Sequence, residues 1–164
     1  MYDANTLTPQ MEGRVIKEVT KYNIPGDLID RRYLYIPVAL SETLQGRAEK
    51  AGKEPALILD LRQYPFRVPR ITYLSSPASN IYRCNPIFNT IMKKLTKSDC
   101  LCCSSFICPE NWVCSNNLQQ IIDEFLKIVE FKQRAVDIYI CNKIQPQLLP
   151  DGLPIQDYAI SQFL

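Results

Sequence analysis

Histidine is absent from this chain of 164 residues. Without an imidazole, a Ser-His or Cys-His nucleophilic pair, a histidine-ligated metal and an imidazole general base are all excluded. Glycine is scarce as well: the five glycines never fall into the spacing of a phosphate-binding loop, so we expect no nucleotide-dependent catalysis and no cofactor. Any chemistry must therefore use cysteine, carboxylate, lysine, tyrosine or the dipoles of amides and the backbone.

Long apolar runs are missing too. No window approaches the roughly 20 consecutive apolar residues of a membrane helix, and no apolar leader follows Met1, so we expect no membrane partner. The net charge of +2 is too small to predict a nucleic-acid partner. The length predicts one domain with a substantial core.

Cysteine, by contrast, is abundant and clustered. Five of the seven cysteines lie between Asp99 and Phe125, together with the single tryptophan. An odd number of cysteines without a secretion signal favours free thiols over a disulfide framework. We therefore expect a cytoplasmic, reducing compartment.

The clearest helix pattern follows this cluster. Apolar residues recur three and four positions apart, which is typical of a helix with one buried face; they are Leu118, Ile121, Ile122, Phe125, Leu126 and Val129. Ser115 is the predicted N-cap, with Asn116 and Asn117 in support.

The other patterns predict an α+β domain with helices on one side of an antiparallel meander. The predicted elements are a helix from Pro9 to about Tyr22, strands at 31–40, 56–61 and 70–74, a helix at 85–97, a segment at 133–144 that fits strand or helix and for which we favour helix, and a short helix in the tail after 145. Residues 41–55 are predicted to be mainly loop. Pro37 indicates that the first strand lies at a sheet edge.

Two stretches resemble ubiquitin-conjugating enzymes. Residues 64–73, which begin Tyr64-Pro65-Phe66 and continue through a second proline into a strand, are similar to the segment that leads toward the active site in that family. Residues 112–118, which begin with Trp112, resemble the stretch that opens the family's second major helix. The cysteine cluster before Asn111-Trp112 is also similar to divergent members encoded by large DNA viruses.

The resemblance implies a single domain of that family's fold over residues 1–164, with an N-terminal helix, an antiparallel meander, C-terminal helices and an atypical insertion at about 82–99. It also implies a catalytic cysteine eight to ten residues before the tryptophan. Cys103, nine positions before Trp112, fits best, and Cys102 is the second choice. Asn80 stands where the family has the asparagine of a histidine-proline-asparagine turn, although the histidine and proline are not kept.

The implied activity is transfer of a ubiquitin-like modifier. An activating enzyme would pass the modifier to Cys103 as a thioester, and a lysine amine would then attack it. A thiol needs no histidine to act as a nucleophile. The implied partners are the modifier, the activating enzyme and a ligase, which would contact Phe66 and the segment Val113, Cys114 and Ser115.

Four alternatives stay open. Two concern the function: the chain is a catalytically inactive binding protein of the same fold, or it is a structural protein of a large assembly such as a virion. The third is that Cys103 is an ordinary buried thiol. Finally, Cys100, Cys103, Cys108 and Cys114 would supply four thiolates for zinc, although the second pair is more widely spaced than in common zinc sites.

Overall fold

The computed structural model describes residues 6–82 and 105–143. Within them the protein is an α+β domain built on an antiparallel five-stranded sheet. In chain order the elements are helix α1 (Pro9–Lys21), strands β1 (Asp27–Ile29) and β2 (Tyr33–Pro37), helix α2 (Glu42–Lys50), strands β3 (Ala56–Asp60), β4 (Arg70–Tyr73) and β5 (Ser76–Pro77), helix α3 (Ala78–Tyr82) and helix α4 (Leu118–Lys143).

Helix α1 begins where its sequence predicts. The Thr8 hydroxyl accepts a hydrogen bond from the backbone N–H of Met11 at 3.1 Å, so it satisfies one of the donors left free at the helix start. Pro9 occupies the first helical position, where its missing N–H costs nothing. The helix ends at Lys21, as expected.

The sheet is a simple meander, since every strand pairs with its neighbours in the sequence. Side chains alternate along β2: Leu34 and Ile36 are buried, whereas Tyr33 and Tyr35 are only half-buried on the other face. Leu34 pairs with Leu59, and Leu59 pairs with Ile71. These three side chains form a row across the middle of the buried face.

The expected edge position of Pro37 is wrong. Strand β2 pairs with β1 on one side and β3 on the other, so it is an inner strand. Pro37 is tolerated because it is the last residue of β2, two positions beyond Tyr35, where the pairing with β1 ends. Its missing N–H therefore removes no bond to β1.

The two outer strands were not predicted, because their turns lack the usual signal. Strands β1 and β2 are joined by three residues, of which Asp30 and Arg31 have positive φ. The turn between β4 and β5 is centred on Leu74 and Ser75, and both have positive φ. Such loops usually contain glycine or asparagine, which adopt positive φ at little cost. Neither residue type is present in these two loops.

Residues 42–50 form helix α2, so the prediction of a loop there is wrong. The Ser41 hydroxyl accepts from the backbone N–H of Leu44 at 3.3 Å and caps the helix. Leu44 and Ala48, four residues apart, are its buried side chains. Two apolar positions around Gly46 are too few to show a helical period in the sequence.

An ion pair fixes the end of the sheet where β2 begins and β3 ends. Arg32 donates to both carboxylate oxygens of Asp60, at 3.0 and 2.8 Å, and the backbone N–H of Arg62 adds a third donor at 3.2 Å. Burial acts to raise the pKa of Asp60, but these donors and the nearby positive charges outweigh it and hold the pKa below its ordinary value.

Helix α4 confirms the period seen in the sequence, and it continues without a break through the segment for which helix was favoured. Its first half buries most of the predicted stripe, including Leu118, Ile121 and Phe125. Leu126 is an exception, because 43% of its surface is exposed, while Ile128 is buried. Both α1, through Val15, and α4 share one core with the buried face of the sheet.

Some sequence-based expectations lie outside the described residues. They are the helix at 85–97, most of the insertion at about 82–99 and the short helix in the tail. Of the helices that the structure does describe, none combines the length and the apolar character needed to span a lipid bilayer.

Candidate functional site

The turn that connects β3 to β4, residues 61–67, contains the tyrosine-proline pair and is called the corner below. Tyr64 and Pro65 are buried and joined by a cis peptide bond. The backbone N–H of Tyr64 donates to Leu61 O at 3.0 Å, and that of Arg67 donates to Gln63 O at 3.0 Å, so the corner is a hydrogen-bonded turn. Phe66 points outward at its tip.

Trp112 ties the segment before α4 to this corner. Its indole Nε1–H donates to the carbonyl oxygen of Pro65 at 2.9 Å, across 47 positions of sequence. The rings of Trp112 and Tyr64 lie 6.4 Å apart at a tilted angle of 56°. The two stretches singled out in the sequence are therefore direct neighbours.

A buried carboxylate lies next to this junction, by which we mean the contact of Trp112 with Tyr64 and Pro65. Glu18, on α1, is only 9% exposed. The Tyr64 hydroxyl donates to it at 2.8 Å, and the backbone N–H of Leu118, the first residue of α4, lies 3.4 Å from Oε1. Arg14 balances the charge, with Nε at 3.8 Å from Oε2 and its guanidinium carbon 5.2 Å from the centre of the Tyr64 ring. One side chain thus joins α1, the corner and the start of α4.

The same contacts change the titration of Tyr64. Burial raises the pKa of its hydroxyl first of all, and the hydrogen bond and negative charge of Glu18 raise it further, because an ionised phenol would face a carboxylate. Arg14 opposes this only in part. Tyr64 therefore remains a donor throughout the neutral range.

The N-cap of α4 is Asn117, not Ser115 as predicted. The Asn117 side chain accepts from the backbone N–H of Gln120 at 2.9 Å, and the Gln120 side chain accepts from the backbone N–H of Asn117 at 2.9 Å. This reciprocal capping box satisfies two donors at once. Ser115 precedes the helix and is exposed, and Asn117 also donates to the hydroxyl of Tyr22 at 3.3 Å.

The turn before Trp112 is organised by Ser105, which is only 6% exposed. Its hydroxyl donates to Glu124 on α4 at 2.7 Å and accepts from the backbone N–H of Ile107 at 3.2 Å. Its carbonyl accepts from the backbone N–H of Cys108 at 3.2 Å and from the Asn111 side chain at 3.1 Å. The segment that follows the cysteine cluster is thus fixed to α4.

A groove of about 630 Å³ lies beside this turn. It is bounded by the corner, β4, α3 and residues 107–109, and its walls include Arg67, Val68, Arg70, Tyr82, Ile107 and Pro109. Tyr82 is the last described residue before the gap at 83–104, and Ile107 lies just after it. The volume is within the range of about 300–1,000 Å³ that is common for ligand sites.

The four residues predicted to bind a partner are all exposed. Phe66 is 73% exposed and Val113 is 55% exposed, which is unusual for side chains of this size. Cys114 is an exposed free thiol, and Ser115 is exposed as well. Because the Trp112 indole holds its segment to Pro65, the loops that carry Phe66 and Val113 are neighbours.

The predicted catalytic residues stay predictions. Cys103 and the second choice, Cys102, lie outside the described residues. Asn80 is a residue of α3, a helix that contributes Ala78, Ser79 and Tyr82 to the groove.

The zinc alternative also depends on the undescribed segment, which contains Cys100 and Cys103. Of its other two members, Cys108 is half-buried and packs against the core, and Cys114 is exposed. Within residues 6–82 and 105–143, no group of three or more potential ligands is arranged to hold a metal ion.

Sequence reasoning missed Glu18 and the pair Ser105 and Glu124. Glu18 lies in α1 close to the charged residues Arg14 and Lys17, and glutamate is usually an exposed residue. Its hydroxyl partner is 46 residues away, so no local signal marks the contact. Ser105 has no local signal either, because its partner is 19 residues away on α4.

Several contacts and motifs of the described residues bear on function. They include two loops joined by Trp112, the buried carboxylate of Glu18 and a groove whose walls include Ile107 and Pro109. Comparisons of the chain with models of protein families, with curated proteins and with solved structures found no match to any of them.

Proposed function

We propose that this chain is a ubiquitin-conjugating-enzyme-like protein that carries a ubiquitin-like modifier as a thioester on Cys103 and passes it to lysine. The observation that carries the proposal is the hydrogen bond from Trp112 Nε1 to Pro65 O. It joins the two stretches on which the resemblance depends, in the way a shared active-site region requires. The order of N-terminal helix, antiparallel meander and long C-terminal helix supports the same family fold.

The anchoring of Ser105 supports Cys103 as the nucleophile. Cys103 precedes Ser105 by two positions, and two peptide units span at most about 7 Å. Ser105 is held to Glu124, and Ile107, two residues further on, lines the groove. In this proposal the Cys103 thiol acts beside the groove, where a modifier tail and an acceptor lysine would meet.

The chemistry consists of two acyl transfers. The Cys103 thiolate attacks the thioester carbonyl of the modifier on the activating enzyme, and the enzyme's thiolate leaves. An acceptor amine then attacks the new thioester, displaces the Cys103 thiolate and forms an isopeptide bond. In this proposal Asn80 donates to the oxyanion of the intermediate; loss of such a donor costs about 3 kcal/mol in comparable sites.

The exposed corner supports a docking role for a ligase or another partner. Phe66 and Val113 present apolar side chains on adjoining loops, and the core does not use them. Exposed apolar groups grouped in this way are typical of protein-binding surfaces.

The same surface favours a second candidate function: an inactive protein of this fold that binds a modifier, a ligase or other proteins of a large assembly such as a virion. That function needs Phe66 and Val113 but no thiol chemistry, and it fits a chain without histidine. Purification of the protein with a bound modifier, or its incorporation into a particle without thioester formation, would favour this alternative.

A non-reducing gel separates the two candidates. The protein is incubated with ubiquitin, its activating enzyme and ATP, with Cys103→Ser and Cys114→Ser as a matched pair. The proposal predicts an adduct that thiols remove, that is lost in Cys103→Ser and that persists in Cys114→Ser, because Cys114 is an exposed thiol of the predicted partner-binding loop and does not line the groove. Loss in Cys102→Ser but not in Cys103→Ser would move the nucleophile to the second choice. An adduct that survives in both Cys102→Ser and Cys103→Ser would remove the catalytic proposal.

A further inference from the structure

The groove beside the corner is positively charged. Among its described lining residues are two arginines, Arg67 and Arg70, and no aspartate or glutamate. Both arginines are exposed. A ligand in this groove therefore meets two positive charges, and none of the described wall residues carries a negative one.

Neither arginine is neutralised by another residue of the described part of the chain. The described part of the chain forms no ion pair with Arg67 or Arg70, whereas Arg14, Arg31 and Arg32 each have a carboxylate partner.

A carboxylate in an adjoining cleft is already paired. Asp60 shares a small adjoining cleft with Arg70. Both of its oxygens accept from Arg32, and one also accepts from the backbone N–H of Arg62. Asp60 is thus bound at the end of the sheet, and no carboxylate of the described residues pairs with the guanidinium groups of Arg67 and Arg70.

The rest of the wall suits a peptide. Val68, Pro69, Pro77 and Pro109 provide apolar surface, and Gln63, Thr72 and Ser79 provide neutral hydrogen-bonding groups. Guanidinium groups bind carboxylates through two parallel hydrogen bonds, so two arginines along one groove match two acidic side chains of an extended segment.

We infer that the groove takes an acidic segment of the acceptor protein, so that the lysines modified are those flanked by aspartate or glutamate. This inference rests on the proposed function, since it names the class of acceptor that the same site would use. The positive charge of the groove selects against basic segments and steers acidic ones toward the thioester.

Fluorescence anisotropy tests the inference without any transfer reaction. The probe is a labelled peptide in which glutamates flank one lysine, and its control is the same peptide with glutamines. We expect the glutamate peptide to bind more tightly, the double variant Arg67→Gln/Arg70→Gln to lose about tenfold in affinity, and added salt to weaken binding. Arg134→Gln removes an arginine from the exposed side of α4 and should bind as the wild type does.

Two results would overturn the inference: equal binding of both peptides, or unchanged binding in the double variant. Both arginines are exposed, so we expect the double variant to melt at the same temperature as the wild type. Equal melting temperatures would exclude a folding defect as the cause of weaker binding. Thioester formation by the wild-type protein is scored separately. Selective peptide binding without any thioester would remove the proposed function and leave the groove's preference for acidic segments in place. A thioester without selective binding would leave the proposed function in place and remove that preference.

Discussion

Replacing Tyr64 by phenylalanine tests the junction on which the site depends. The substitution removes one oxygen atom and leaves the ring in contact with Trp112 and Arg14. Among the described residues, Glu18 then keeps only the backbone N–H of Leu118, at 3.4 Å, and Arg14, at 3.8 Å. A buried carboxylate thus loses its shortest hydrogen bond while the packing stays the same.

The expected cost follows from the charge of the acceptor. A hydrogen bond to a charged group contributes about 1.5–3 kcal/mol, and a carboxylate left short of donors adds to the loss. We expect the free energy of unfolding to fall by about 2–3 kcal/mol. For a domain of this size, that corresponds to a drop in Tm of roughly 4–12 °C.

Urea unfolding followed by tryptophan fluorescence measures this cost, since Trp112 reports on the junction itself. Tyr33→Phe is the matched control: it also removes a phenolic oxygen, but the structure shows no hydrogen bond of that hydroxyl within the described residues. The control should change stability by less than about 0.5 kcal/mol. Equal effects of the two substitutions would refute the role given to Glu18.

The pH dependence gives a second test with a defined sign. The fold raises the pKa of Tyr64 above its ordinary value of 10.0, so the folded protein keeps this proton longer than the unfolded chain does. The hydroxyl therefore contributes its full stability below pH 10, and the contribution is lost as pH rises further. The difference between wild type and Tyr64→Phe should be constant from pH 7 to 9 and shrink above about 10. A difference that grows above that pH would contradict the account.

Two further predictions concern the ends of helices and strands. Asn117→Ala should lower the free energy of unfolding by about 1 kcal/mol, because it removes the cap of α4; Ser115→Ala, the residue that the sequence pattern favoured, should change it by less than about 0.5 kcal/mol. Thermal unfolding of both variants checks this, and a larger effect of Ser115→Ala would restore it as the cap. Asp60→Asn should destabilise the protein at neutral pH, and the deficit relative to wild type should shrink below pH 3.8, because the pKa of Asp60 is lowered in the fold and its contribution is lost as the folded carboxylate is protonated. Urea unfolding at pH 7 and at pH 3 measures the two deficits, and equal values would contradict the pairing.

Local patterns predicted the elements that carry strong local signals. Thr8 followed by Pro9 identifies the start of α1, the alternation through Leu34 and Ile36 identifies β2, and the stripe beginning at Leu118 identifies α4. Each of these signals lies within a few residues of the structure it specifies. The α+β class and the antiparallel meander follow from their order.

Other parts of the fold could not be predicted, because their determinants are either unusual or distant. The hairpin loops at Asp30 and Leu74 use residues that rarely adopt positive φ, so no turn signal marks β1 or β5. Helix α2 buries too few apolar residues to show a period. The start of α4 was misplaced by two residues because Ser115 and Asn117 are both good caps, and only the contact with Gln120 decides between them.

The candidate site was only partly predictable for the same reason. The two stretches could be recognised from the sequence, but the contacts that join them could not. Trp112 and Pro65 are 47 residues apart, and Glu18 and Leu118 are 100 residues apart. These contacts appear only when the core brings α1, the corner and α4 together.

The intact mass of the protein after incubation with ubiquitin, activating enzyme and ATP tests the central claim most directly. The account predicts a mass increase equal to ubiquitin less one water, removed by a thiol and located by proteolysis on Cys103. An unmodified mass, or a modified lysine with every cysteine free at all times, would contradict it.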